Sequence, residues 1–146
     1  MLIHYQIIII GEKSLYTNEI LDIFYRHINE LGIKKESVII LDKDNFYNEY
    51  RANAPAFCLY FGNKSVPFID IDIVKILMAD ATLILPIVDD FFNFSSLIPE
   101  ELLNINGFEL SSCIEIEKLV SAILEGLSLL RLSRRLFVSY KRNESS

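Results

Sequence analysis

Residues 2–11 read LIHYQIIIIG, a run of mostly aliphatic side chains that contains four consecutive isoleucines and stops at Gly11. Isoleucine favours β-strands because its branched Cβ packs well on a pleated surface. A strand with one face in water alternates apolar and polar residues, and this run does so hardly at all. The pattern therefore predicts a strand over Leu2–Ile10 that is buried on both faces, as in a parallel sheet.

The chain then alternates between helix-like and strand-like segments. Apolar residues recur at helical spacing from Ile20 to Leu31, and Gly32 follows as a stop signal. Further strands are predicted over Val38–Leu41, Ala56–Phe61 and Thr82–Val88, and further helices over Ile69–Ala79 and Glu115–Leu132. The alternation of isoleucine and aspartate over residues 69–73 also fits a strand. We expect Pro86 at the end of its strand or at a bulge. This order predicts an α/β fold, a three-layer sandwich with a mainly parallel sheet of the flavodoxin-like type.

Three shorter segments complete the prediction. Phe46–Asn53 is expected to form a weak helix or an irregular loop, and Phe91–Ser96 an aromatic loop. Pro99 is expected in a first helical turn, because its missing N–H costs nothing there. Leu136–Tyr140 has the composition of a strand and lies near the end of the chain.

Length, composition and charge limit the function. The 146 residues are 51% hydrophobic and contain two cysteines, which indicates one folded domain without a disulfide framework. Residues 1–130 carry 9 basic and 19 acidic residues, a balance of −10, whereas residues 131–146 carry 5 and 1, a balance of +4. An acidic body repels phosphate backbones, so nucleic acid is not an expected partner. With no secretory signal and no membrane-length apolar run, we expect a cytoplasmic protein that does not bind a membrane.

Polar residues follow each predicted strand, at the edge where parallel α/β sheets bind ligands. The candidate ligand-binding residues are Glu12, Lys13 and Ser14, then Asp42 and Lys43, then Asn63, then Asp89 and Asp90, with Gly11, Asp44, Gly62 and Lys64 beside them. One hypothesis is a small nucleotide, whose ribose hydroxyls contact Glu12 and Asp42 while a lysine meets the phosphate. The aspartates also suit a hard cation or simple turn capping, and we favour capping and predict no metal. No glycine-rich cofactor motif follows the first strand.

Residues 134–146 read RRLFVSYKRNESS, in which basic residues precede a strand ending in Ser-Tyr, and a basic residue, an acidic residue and serine follow. This segment resembles the opening of a Toll/interleukin-receptor (TIR) domain. The resemblance implies two parts. Residues 1–130 would form an α/β regulatory or sensor domain, and residues 131–146 the end of a connecting helix and the first strand of a truncated TIR domain.

A second, fainter similarity concerns residues 95–102, which read SSLIPEEL. They keep the spacing of the segment Ser-x-Trp-Cys-x-x-Glu-Leu of TIR domains, which carries the catalytic glutamate of TIR NAD hydrolases. By that spacing Glu101 corresponds to the catalytic residue. Leu97 and Ile98 replace the Trp and Cys, and Pro99 departs from the pattern. Glu101 is therefore either catalytic or an acidic residue that favours the start of a helix.

The TIR resemblance implies a bacterial defence or signalling protein whose TIR domain cleaves NAD. The first hypothesis is that residues 1–130 are a non-catalytic regulatory domain that acts by self-association, by contact with other TIR-type domains, or by sensing a partner. The alternative is that they form a divergent NAD hydrolase that uses Glu101, or a nucleotide-binding domain. In the first case NAD is the substrate of the implied TIR domain alone, and this chain binds no cofactor.

Overall fold

A computed structural model describes residues 4–129 of the chain. Its five strands form one sheet in the order β2-β1-β3-β4-β5, and every neighbouring pair is parallel. The strands are β1 (Tyr5–Gly11), β2 (Val38–Leu41), β3 (Ala56–Phe61), β4 (Leu83–Val88) and β5 (Phe108–Glu109). The predicted parallel sheet and its flavodoxin-like strand order are confirmed.

Helices cover both faces of the sheet and complete the three layers. They are α1 (Thr17–Glu30), α2 (Phe46–Glu49), α3 (Ile71–Ala79), α4 (Phe94–Leu97) and α5 (Ile116–Gly126). Apolar residues of α1 and α5 form one core with Ile7, and those of α2 and α3 form a second core with Ile8 and Ile10. Successive side chains of β1 therefore enter opposite cores, which explains its lack of polar alternation.

Pro86 lies inside β4 and not at its end or at a bulge, because the register from Phe57 opposite Leu83 to Phe61 opposite Ile87 is continuous. The carbonyl of Ile87 accepts a hydrogen bond from the N–H of Gly62, which directly follows β3, and the carbonyl of Val88 accepts one from the N–H of Leu110, which directly follows β5. In a strand, the N–H and C=O of one residue point to the same neighbour, and those of the next residue point to the other neighbour. Pro86, next to Ile87, therefore lacks an N–H on the side of β5. β5 begins only opposite Ile87, so Pro86 breaks no ladder bond.

The structure departs from the prediction at α5. The helix ends at Gly126, and Ser128 has a φ of 64°, so the helix is not continuous through residues 127–128. Leu127 and Leu129 are both almost completely buried. Two residues apart in a straight helix, they would point in nearly opposite directions, and the turn lets both enter the core. Residues 130–132, the predicted strand at 136–140 and the predicted boundary at residue 130 lie outside the described residues.

Two smaller differences concern the chain between β4 and α5. Phe91–Ser96, predicted as a loop, forms a 3₁₀ turn over Phe91–Asn93 followed by α4. β5 was not predicted, because a strand of two residues shows no periodicity. No helix within residues 4–129 combines the length and apolar character needed to cross a lipid bilayer.

Candidate functional site

The strand order places a switch point between β1 and β3. The chain leaves β1 to form β2 on one side and then returns to form β3 on the other, so the loops after β1 and β3 diverge at the carboxyl edge of the sheet. Two cavities lie at this edge, with volumes of about 530 Å³ and about 300 Å³. Glu12, Lys13 and Ser14, which follow β1, line both of them. This segment therefore separates two adjoining spaces.

The larger cavity, called the crevice below, lies beside the ends of β1, β3 and β4. Its apolar lining comes from Leu15, Tyr16, Phe61, Ile87, Val88, Leu97 and Leu110. The polar residues that complete it are Glu12, Lys13, Ser14, Lys64, Asp89 and Asn93, with Gly62. Polar and apolar groups contribute about equally to this lining, and the volume is in the usual range of small-molecule sites.

The smaller cavity, called the side cavity below, lies beside the ends of β1 and β2. Its lining is largely aliphatic, from Ile9, Ile10, Leu21 and Ile40, and Asp42 and Thr17 supply polar groups. Of the predicted site residues, Glu12, Lys13, Ser14, Asp42 and Asp89 line at least one of the two cavities. Sequence position relative to the strands was enough to find these five.

Charged side chains of both signs line the crevice without pairing to one another. Glu12, Lys13, Lys64 and Asp89 are all exposed, and within residues 4–129 none of them has an ion-pair partner. The one ion pair among these described residues joins His27 Nε2 of α1 to an oxygen of Glu117 at 3.1 Å. A ligand in the crevice would therefore meet charges of both signs.

Gly11 fixes the path of the chain into this site. Its φ is +87°, and a Cβ atom here would collide with the carbonyl oxygen of Phe61 on the neighbouring strand. Its N–H donates to Oδ2 of Asp70 at 3.0 Å, which ties the end of β1 to the residue that precedes α3. Only glycine fits this position, and the turn that it permits brings Glu12 and Lys13 to the mouth of both cavities.

Asn63, a predicted ligand contact, is instead held inside the protein. It is 2% exposed. Its amide nitrogen donates to the hydroxyl of Tyr60 at 2.9 Å and to a backbone carbonyl, and its Oδ1 accepts from the N–H groups of Ser65 and Ile69 at 3.3 and 3.2 Å. The hydroxyl of Tyr60 donates to the carbonyl of Ile69 at 2.8 Å, and burial raises the pKa of Tyr60 to about 12. These bonds hold the loop between β3 and α3.

Asp42, which also lines the side cavity, and Asp90 accept hydrogen bonds from backbone N–H groups of the turns that they begin. Oδ1 of Asp42 accepts from the N–H groups of Asp44 and Asn45 at 2.8 and 3.2 Å, and Oδ1 of Asp90 accepts from Phe92 N–H at 2.9 Å. Lys43 is exposed and lines neither cavity. Within residues 4–129 no group of three or more histidine, cysteine, aspartate or glutamate side chains is arranged to hold a metal ion.

Glu101 lies in the segment between α4 and β5. It is exposed in the 3₁₀ turn Glu100–Leu102, where Pro99 and Leu102 are both buried. It belongs to the lining of neither the crevice nor the side cavity.

Eight residues of the crevice lining were not predicted from the sequence, and three of them come from the chain after β4. Asn93 and Leu97 come from the turns after β4, and Leu110 directly follows β5. No local pattern marks them, because their position depends on the path of the chain after β4. Comparison of the chain with protein-family models, with curated proteins and with solved structures gives no match in any of the three.

Proposed function

We propose that residues 1–130 are a non-catalytic regulatory domain that binds a small ligand in the crevice and passes this signal to a TIR-type region beginning near residue 131. The crevice carries the proposal. It combines apolar lining residues, a volume of about 530 Å³ and charged side chains that form no ion pair with residues 4–129, at the switch point of a parallel sheet. The TIR part of the proposal is supported by the sequence RRLFVSYKRNESS at residues 134–146 alone.

The position of Glu101 favours a binding role over NAD cleavage by this chain. A glutamate that stabilises a developing positive charge on a ribose must touch that sugar. Glu101 is exposed and belongs to the lining of neither cavity, which favours a role for it outside the ligand site. A sensor needs no such contact, only a difference in affinity between two states of the domain.

A thermal-shift panel with the 146-residue chain tests the binding site. The panel contains nucleosides, their mono-, di- and triphosphates, NAD, sugar phosphates and amino acids. We expect at least one compound to raise the Tm by a few degrees, because a ligand that binds only the folded state stabilises it. Asn93→Trp should remove the shift by filling the crevice, since Asn93 is exposed and lines it.

Asn104→Trp is the matched control, because Asn104 is exposed and lines neither cavity, and the shift should persist in it. No shift with any compound, or a shift that survives Asn93→Trp, would contradict the proposed site. NAD turnover by the 146-residue chain that is lost in Glu101→Gln would contradict the non-catalytic role.

A further inference from the structure

The charges of the crevice restrict the chemistry of its ligand. Glu12 and Asp89 contribute two carboxylates, and Lys13 and Lys64 contribute two ammonium groups. Since none of these four has an ion-pair partner within the part of the chain that the structure describes, a ligand of matching charge can pair with both signs at once. A polyanion would gain two lysines but would meet two carboxylates in the same space, and a simple cation would meet the lysines.

The apolar wall adds a second requirement. The apolar surface that the crevice exposes to water comes from Leu15, which is 96% exposed, and from the half-buried Tyr16 and Leu97. Phe61, Ile87 and Val88 also line the crevice but are more than 90% buried. Covering this wall with a hydrocarbon group removes apolar surface from water, which favours binding. A ligand of charged ends alone would leave the wall wet.

The geometry points to a zwitterionic ligand with an apolar body, of the size of an apolar amino acid or a dipeptide. This inference rests on the proposed function, because it names the ligand class of the same crevice. In this proposal the ammonium group pairs with Glu12 and Asp89, the acidic group pairs with Lys13 and Lys64, and the apolar side chain covers Leu15, Tyr16 and Leu97.

Calorimetric titration of the 146-residue chain with three related compounds tests the class. L-Phenylalanine carries both charges, 2-phenylethylamine lacks the acidic group, and 3-phenylpropanoate lacks the ammonium group. We expect L-phenylalanine to bind with a Kd below about 1 mM and each analogue at least about tenfold more weakly. The dipeptide L-leucyl-L-phenylalanine, titrated in parallel, distinguishes an amino acid from a peptide as the source of the zwitterion.

A charge-neutralising variant tests the residues. Glu12→Gln combined with Asp89→Asn should weaken binding of the tighter zwitterion at least about tenfold and should not weaken binding of 3-phenylpropanoate. The control pair Asp22→Asn and Glu36→Gln removes the same charge from exposed positions outside both cavities and should leave the affinity unchanged.

Three results would overturn the inference. The first is that neither zwitterion binds, and the second is that an analogue binds as tightly as L-phenylalanine. The third is that the combined variant Glu12→Gln and Asp89→Asn keeps the affinity of the wild type. If neither zwitterion binds but another compound of the thermal-shift panel does, and Asn93→Trp abolishes the binding of that compound, the zwitterion inference fails while the proposed site stands. If nothing in the panel binds, both fail.

Discussion

The side chains of Tyr60 and Asn63 lie beneath the carboxyl edge of the sheet and form one hydrogen-bonded unit. Asn63 uses both its amide nitrogen and its oxygen, and Tyr60 joins it to the carbonyl of Ile69. A buried polar group without a partner would cost about 1–3 kcal/mol, so this network favours one conformation of the loop. The loop in turn carries Lys64, one of the cations of the crevice.

The raised pKa of Tyr60 makes this network sensitive to alkaline pH. Its folded pKa of about 12 exceeds the usual 10.0, so the unfolded state loses the proton first as the pH rises. The stability contributed by the neutral phenol is complete below about pH 10 and is lost towards about pH 12. We expect the free energy of unfolding, measured with urea, to fall less steeply across this interval in Tyr60→Phe than in the wild type.

Tyr47→Phe is the control for Tyr60→Phe, because Tyr47 is 64% exposed. Its pH dependence should match that of the wild type. Burial also raises the pKa values of Tyr25 and Tyr50, so part of the slope remains in Tyr60→Phe. Identical slopes in the Tyr60 and Tyr47 variants would contradict the assignment.

Asp89 and Asn63 show what the position of a polar residue after a strand predicts and what it does not. Both are polar residues that follow a strand, and both were predicted to contact a ligand. Asp89 is exposed at the crevice, whereas Asn63 is buried against the hydroxyl of Tyr60. The sequence predicts that a residue follows a strand, but the direction of its side chain depends on the hydrogen-bond partners that the folded loop brings near it.

At the scale of elements, two helices end in the same way with different residues. Gly32 follows α1 with a φ of +78°, its N–H bonds to Asn29, and the N–H of Ile33 bonds back to Ile28. Ala81 follows α3 with a φ of 57°, and the same pair of bonds forms after it. Both are Schellman motifs, in which a left-handed residue satisfies the last carbonyls of the helix.

Ala81 should be less suited to its place than glycine. A left-handed conformation costs an alanine roughly 1–2 kcal/mol, and replacement by glycine removes this cost. Part of the resulting gain in stability is offset, because glycine loses more conformational entropy on folding. We expect Ala81→Gly to raise the free energy of unfolding by about 0.5–1 kcal/mol in urea titrations. Ala81 is exposed, so little packing changes.

Gly32→Ala is the reciprocal variant. A Cβ at Gly32 would have no atom within 4 Å, so the substitution isolates the conformational cost. We expect it to lower the free energy of unfolding by about 1 kcal/mol. A gain in Gly32→Ala, or a loss in Ala81→Gly, would show that the two helix ends are not equivalent.

The same comparison explains which elements the sequence predicts. Gly32 marks the end of α1 because a glycine after an apolar helical pattern is a recognised stop signal. Ser128 turns the chain after α5 without such a mark, since serine rarely adopts a φ of 64°. Val38–Leu41 and Ala56–Phe61 match the observed strands fully, because loop residues bound their apolar runs on both sides.

For the whole molecule, the sheet has both faces covered and only its edges open. Every interior position is held by β1, β3 or β4, so any further strand of the chain can join only beside β2 or along the β5 side. One core joins α1 to α5 and the other joins α2 to α3, and each lies against the same sheet. Within residues 4–129, each face of the sheet is therefore covered by a hydrophobic core.

A chain that ends at Ser133 tests whether the last residues belong to this interior. Residues 1–133 carry 10 basic and 19 acidic residues, a balance of −9, so removal of residues 134–146 leaves a more uniformly acidic protein with higher expected solubility. Because residues 4–129 already cover both faces of the sheet, we expect the Tm to stay within about 2 °C of the full chain, a change of less than about 1 kcal/mol. The measurements are thermal unfolding by circular dichroism and the saturation concentration. A large fall in Tm would place residues 134–146 in the fold and would remove the reason for assigning them to a TIR-type neighbour.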